Sequence, residues 1–221
     1  MAQLSDMRTR LRGLSSLKGP FPAFDAELFP PDPQAAFSAW LDDAIAAEIK
    51  EPHAMTLSTV DENGRADARV LILKDVDGRG WHFSVRGNSP KDLQISHHPD
   101  VALTFYWAQL GRQVRIRGKA VQLSEEECAQ DFRSRPTASK VSAFASNQSQ
   151  VLESHDELTR GLEAAQKAFR DNPDLVAEDW KVFSVSPESV EFWQGSSDRL
   201  HRRVLYTPTE EGKWAKQRLW P

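Results

Sequence analysis

Apolar residues recur at two periods along this 221-residue chain, and the change of period marks its elements. Phe37, Trp40, Leu41, Ala44, Ile45 and Ile49 recur at helical spacing. Asp32 supplies a cap and Pro33 a first helical position, so a helix is predicted through about Lys50. From there the period shortens. AMTLSTV, the turn DENG and RADARVLILK predict a hairpin, and DVDGRG is a second turn before WHFSV. VALTFYW and RQVRIRGKAVQL form another pair, split by AQLG. Alternation in RQVRIRGKA puts Gln113, Arg115 and Arg117 on one face, with Val114 and Ile116 on the other. Short helices interrupt the strands. Ser89 with Pro90 opens KDLQISHH, while Ser124 with Glu127 and Ser154 with Glu157 have capping-box spacing. The C-terminal part predicts four strands: KVFSVS, SVEFWQ, RRVLY and KWAKQRL.

Many short strands joined by tight turns, with a few helices inserted, predict a mainly β, α+β fold: an antiparallel barrel with short peripheral helices. Strands do not alternate with crossover helices, which argues against a doubly wound parallel sheet. Residues 1–31 read as an arm. FPAFDAELFPPDP, rich in proline and aromatics without a period, is expected to lie extended against the body or against a partner chain. No repeat or linker divides 32–221, which is expected to form a single domain.

Composition narrows the function classes. Net charge is −4, so nothing global points to nucleic acid or to an anionic membrane, and any anion site must come from local clustering. The single cysteine, Cys128, has no partner for an internal disulfide, which fits a reducing compartment, and its acidic neighbours would raise a thiol pKa. No apolar run approaches the roughly 18 residues of a membrane helix. MAQLSDMRTRLRGL lacks the apolar region of a secretory signal, so the expected location is the cytoplasm.

Several familiar devices are absent: GxGxxG after a strand, GxxxxGK[ST], HExxH and paired CxxC. His97 and His98 are adjacent and would diverge on a helix, so no metal is expected. What remains is cations at element ends. Arg69 and Lys74 are five apart, so on a regular strand they face opposite sides. Lys91 follows Ser89 at a helix start, where exposed N–H groups and its ammonium would suit a phosphate; a solvated first-turn lysine has the same sequence. The densest cluster is RLHRR. On a strand, Arg199, His201 and Arg203 would share a face and offer guanidinium forks and an imidazole to an anion; a solvated edge strand would carry the same residues.

EPHAMTLSTVDENGRADARVLILK, SPKDLQI, GRQVRIRGKA, SRPTASK, NQS, VEFWQGSSDRLHRR and the final RLWP together resemble the pyridoxine/pyridoxamine 5′-phosphate oxidase family, from about Ala35 to Pro221. The resemblance implies a split β-barrel binding FMN at a homodimer interface. By motif position, Arg69, Val70, Leu71, Lys74, Ser84, Val85, Lys91, Gln113, Gln148, Ser149, Trp193 and Arg203 would line the flavin site. Lys74, Asp131, Arg135 and Ser139 fall at the substrate-phosphate positions. Arg199 and His201 would cover the pyridine ring as the catalytic pair, with molecular oxygen as final acceptor.

The chain departs from the family at several of these places. Asp131 stands where a tyrosine usually reaches the phosphate, and a carboxylate there is repulsive. Pro90 replaces an arginine, Ser84-Val85 a Tyr-Thr pair, and Trp180-Lys181-Val182 a WGG segment. The N-terminal lid is not clearly matched. Three readings follow: an oxidase of pyridoxamine or pyridoxine 5′-phosphate, a related flavin oxidase of another reduced substrate such as a phenazine precursor, and a non-catalytic flavin or pyridoxal phosphate binder.

Overall fold

Among residues 2–221, which the computed structural model describes, eight strands and six α-helices form. The helices are α1 (Ala2–Gly13), α2 (Pro33–Ala46), α3 (Pro90–His97), α4 (Glu125–Ser134), α5 (Thr137–Ala145) and α6 (His155–Asp171). The strands are β1 (Ala54–Val60), β2 (Ala66–Asp77), β3 (Gly80–Arg86), β4 (Asp100–Trp107), β5 (Arg112–Gln122), β6 (Trp180–Gln194), β7 (Arg202–Pro208) and β8 (Trp214–Leu219). Their order in the sheet is β3-β2-β1-β4-β5-β6-β7-β8. β3 also pairs antiparallel with β6, closing a ring of six strands, and β7 and β8 extend it beyond β6. This is the antiparallel split barrel that the strand pattern and the resemblance predicted.

The chain divides into two compact units made of interleaved segments. One contains Ala54–Leu103 and Arg117–Glu188. Its core includes Met55, Leu57, Trp81, Phe83 and Val185, all essentially inaccessible to water. A second cluster within it packs Cys128, Phe132, Val141, Ala165, Phe169, Trp180 and Val182. The other unit contains Met1–His53, Thr104–Ile116 and Ser189–Pro221. Its core is aromatic: Trp40 and Phe29 meet Phe192 edge-on at 5.2 and 5.0 Å, and Phe37 meets Phe105 at 4.8 Å. Tyr206 Oη donates to the Pro30 carbonyl at 2.6 Å. The proline-rich stretch before α2 is therefore irregular but packed, because its phenylalanines fill this core.

Local chemistry explains most elements. Asp32 caps α2 by accepting from Ala35 N–H, with Pro33 at the first turn. Ser124 and Glu127 form a reciprocal capping box on α4. Ser154 accepts from Glu157 N–H, but the Glu157 carboxylate reaches Glu153 N–H instead. On β5, Val114 and Ile116 are buried while Arg115 and Arg117 are exposed, as alternation predicts.

Three elements differ from the sequence pattern. α1 forms within the expected arm; from Asp6 onward its residues are exposed, so it has no apolar stripe to show a period. KVFSVS and SVEFWQ are one strand, β6, running through Pro187. It passes so close to β5 that a Cβ on Gly118 would lie 2.0 Å from the Ser186 carbonyl oxygen. Arg199 and His201 lie in the turn before β7 rather than on a strand. The Asp198 carboxylate accepts from Ser196 Oγ (2.5 Å) and Leu200 N–H (2.8 Å), which holds that turn and delays the strand. No helix among the described residues is long and apolar enough to cross a membrane.

Candidate functional site

In the first unit, Arg69 and Lys91 come together. β1 and β2 pair so that Arg69 is opposite Leu57 and diagonal to Thr59. The Arg69 guanidinium donates to Thr59 Oγ1 (2.6 Å), Asp67 Oδ2 (2.5 Å) and Gln94 Oε1 (3.0 Å). Lys91 is only 7% exposed, so it is not a solvated first-turn lysine. Its Nζ donates to Gln148 Oε1 at 2.8 Å. Burial and then the charge of Arg69 pull the Lys91 pKa below its ordinary value, with Asp92 opposing. Asp92 is itself engaged by Lys181 Nζ at 2.8 and 2.9 Å. Arg69 is paired with Asp67, whereas Lys91 is buried on a neutral amide near the Arg69 charge, a setting that an anion relieves. The phosphate end of a nucleotide cofactor fits these residues.

The remaining residues assigned to the flavin in this unit are spread more widely. Gln148 and Ser149 are exposed and contribute to a cavity of about 270 Å³. Val70 is exposed, Leu71 half-buried, and Ser84 half-buried opposite Val182. The Val85 side chain is in the core at 2% exposure, so it can offer a ligand little beyond its main chain.

A second cation group of the same unit surrounds Asp131. The register between β2 and β3 slips between Leu73 and Asp75, so strand parity does not carry through to Lys74. Lys74 Nζ lies 3.0 Å from Asp131 Oδ1, and Trp180 Nε1 donates to Asp131 Oδ2 at 2.8 Å. The Arg135 guanidinium lies 4.1 Å over the Trp180 ring, and its Nη1 is buried without a hydrogen-bond partner. Burial lowers the Arg135 pKa, Asp131 opposes this, and Arg86 adds to it. Ser139 lies in the first turn of α5, half-buried, with its N–H on the Pro136 carbonyl.

The second unit gathers Trp193, His201 and Arg203. Trp193 faces Arg203 across the β6–β7 pair. The His201 ring lies 4.8 Å from the Trp193 ring, and its Nδ1 accepts from Ser196 N–H at 3.2 Å. Arg203 Nε donates to Glu191 Oε1 (2.8 Å) and Nη1 to the Trp220 carbonyl (3.0 Å). Arg115 makes a close ion pair with Glu191 from the other side. Burial would raise the Glu191 pKa, but hydrogen bonds from Arg203 and Arg115 more than offset it and the pKa falls. A cavity of about 290 Å³ is lined by His201, Arg203 and Arg218 together with Phe24, Asp25 and Ala26. Arg199 is exposed, and its Nη2 donates to Ser16 Oγ at 3.3 Å. Gln113 is half-buried on β5.

Three supporting residues, Glu191, Thr59 and Gln94, were not singled out in the sequence. Glu191 was available in principle, since VEFWQ puts it on one strand face with Trp193. Thr59 and Gln94 gave no local signal, and Trp180 was marked only as part of the altered WGG segment. Asp75, Asp77 and His82 bring three ligand-type atoms within 4.8 Å of one another, but Arg79 already holds Asp77, whose pKa is lowered to about 2 despite burial.

Comparison with known proteins gives this geometry its context. Residues 41–168 match the family model described as pyridoxamine 5′-phosphate oxidase. Residues 180–221 match the pyridoxine 5′-phosphate oxidase C-terminal dimerisation region, which supports a homodimer. A pyridoxine/pyridoxamine 5′-phosphate oxidase of Burkholderia thailandensis is 39% identical, with both chains covered completely. One from Janthinobacterium sp. (strain Marseille) is also 39% identical, over 86% of this chain and 90% of that protein. Among solved structures, PhzG of Burkholderia lata, in complex with tetrahydrophenazine-1-carboxylic acid, has a TM-score of 0.83 at 28% identity, covering 94% of this chain and 100% of that one. An FMN-binding protein of Nostoc punctiforme shares the fold, with a TM-score of 0.70 at 16% identity over 86% of this chain and 98% of that one.

Proposed function

Because the chain belongs to the pyridoxine/pyridoxamine 5′-phosphate oxidase family, with FMN as its cofactor, we propose that it oxidises pyridoxamine or pyridoxine 5′-phosphate to pyridoxal 5′-phosphate with molecular oxygen as acceptor. The observation that carries this reading is the 39% identity to oxidases of that name across the whole chain. Arg69, Lys91 and Gln148 would hold the cofactor phosphate. Trp193, Arg203 and Gln113 would face the flat ring, in a homodimer of the kind that the C-terminal region supports. Val70 and Ile72, two apart on β2 and 67% and 38% exposed, are apolar surface that a second chain would cover.

When bound, FMN supplies the two-electron acceptor and passes the electrons to oxygen, releasing hydrogen peroxide. The chain's own residues do the rest. Lys74, Arg135 and Ser139 anchor the substrate's charged tail, which turns binding energy into orientation. Arg199 and His201 hold the substrate ring, and the His201 imidazole takes the proton of the amine or alcohol. Its Nδ1 accepts from Ser196 N–H, which leaves Nε2 as the N–H tautomer in the resting state. Proton uptake therefore needs the Ser196 contact to break or a second group to relay the proton. The lone, buried Cys128 suits a reducing compartment, and the cytoplasm is the proposed location.

A second reading keeps the flavin chemistry and changes the substrate to another reduced ring, as for a phenazine precursor. It is favoured by Asp131, whose carboxylate sits on Lys74. The test is purification followed by a peroxide assay. Yellow protein that releases peroxide from pyridoxamine and pyridoxine 5′-phosphate is expected. Peroxide only from polycyclic dihydro-aromatics would select the second reading. Yellow protein without turnover on any of these would mean a binder, and colourless protein that FMN cannot reconstitute would overturn all of these readings.

A further inference from the structure

We propose that Asp131 is a specificity-determining residue: a built-in carboxylate that occupies Lys74 and disfavours a doubly charged phosphate tail relative to a singly charged or uncharged one. The inference rests on the proposed reading in one respect, that Lys74 and Arg135 meet the substrate's tail.

Both Asp131 oxygens are engaged. Oδ1 sits 3.0 Å from Lys74 Nζ, and Oδ2 accepts from Trp180 Nε1 at 2.8 Å. The indole is held in turn, with Arg135 stacked on one face at 4.1 Å and Phe132 edge-on at 5.6 Å. The carboxylate is thus fixed from behind, with a side chain only 15% exposed, and does not swing freely into solvent. Arg135 keeps a buried donor, Nη1, that has no hydrogen-bond partner. Any acceptor that satisfies it also comes near Asp131, because both groups sit on the same indole, Arg135 over the Trp180 ring and Asp131 on its Nε1.

Counting charge decides the preference. Lys74 and Arg135 contribute two positive charges and Asp131 removes one, leaving a site that balances a single negative charge. A phosphate monoester carries about −1.5 to −2 at neutral pH. It must either displace Asp131 from Lys74, which leaves a half-buried carboxylate beside an anion, or bind with Lys74 already neutralised. A carboxylate tail suffers about half of that repulsion, and an uncharged tail none. Arg86, the other cation near Arg135, does not restore the balance, because Asp179 Oδ2 holds it at 2.8 Å.

The test compares wild type with Asp131→Asn, which is nearly isosteric and keeps an acceptor for Trp180. Asp131→Ser serves as second charge-removing variant if the first folds poorly, as judged by flavin content and melting. KM is measured for pyridoxine 5′-phosphate and for unphosphorylated pyridoxine. The expected result is a drop of about tenfold for the phosphate ester and a change within about twofold for the neutral alcohol. An equal change for both, or none for the phosphate ester, would overturn the proposal. Binding of pyridoxal 5′-phosphate, followed by its absorbance, reads the same preference without turnover. Should no substrate be oxidised, the oxidase reading fails while this binding comparison still decides: tighter binding by about tenfold in the variant sustains the role of Asp131, and equal binding ends it.

Discussion

Arg199 stands in the turn ahead of β7 with a left-handed backbone, φ 67°; its N–H donates to the Ser196 carbonyl at 3.1 Å, and its side chain donates to Ser16 Oγ. Little of the fold depends on its side chain, whereas the proposed reaction places it over the substrate ring. Arg199→Ala should therefore lower turnover by about a hundredfold while shifting FMN affinity by less than about twofold, measured by steady-state kinetics and flavin titration. Equal losses in both would contradict its assignment to the substrate. At this scale the sequence was legible where type and position suffice. Lys91 after Ser89-Pro90 marked a helix start, and the helix is there. Its burial was not legible, because that depends on Gln148 and Arg69 arriving from segments far away in the chain. Asp131 was visible as a departure from the family. Its fixation by Trp180, 49 positions on, was not.

Elements were legible where local chemistry sets them. The Asp32 cap, the Ser124–Glu127 box and the alternation of β5 need only neighbours in sequence. They failed where tertiary packing overrides local signals. Pro187 reads as a break, yet β6 continues through it, crowded against Gly118 of β5. A methyl group at that glycine would meet the Ser186 carbonyl oxygen at 2.0 Å, with backbone on the other side of the clash and no flexible side chain to yield. Gly118→Ala is expected to destabilise the protein by about 2 kcal/mol or more in denaturant unfolding, whereas a glycine in open space, such as Gly78, should tolerate the same change at well under about 1 kcal/mol. A mild effect at Gly118 would mean that the two strands are not so closely packed there.

For the whole molecule, the prediction concerns cofactor and pairing. Ligand that binds only folded protein stabilises it by mass action, so FMN at about 100 times its Kd should add about 2.7 kcal/mol and raise the melting temperature of the stripped protein by several degrees. Sedimentation should show a dimer; a monomer that still binds FMN tightly would remove the need for paired chains. The sequence by itself determined the strand-rich class, the caps and turns, and a set of cations whose motif order resembles one family, because these are properties of neighbouring residues. Tertiary structure alone decided the closing of six strands into a ring, the burial of Lys91 beside Arg69, and the seating of Asp131 between Lys74 and Trp180. Each of these depends on groups distant in the chain meeting in space, where burial and charge act through distance rather than through sequence separation.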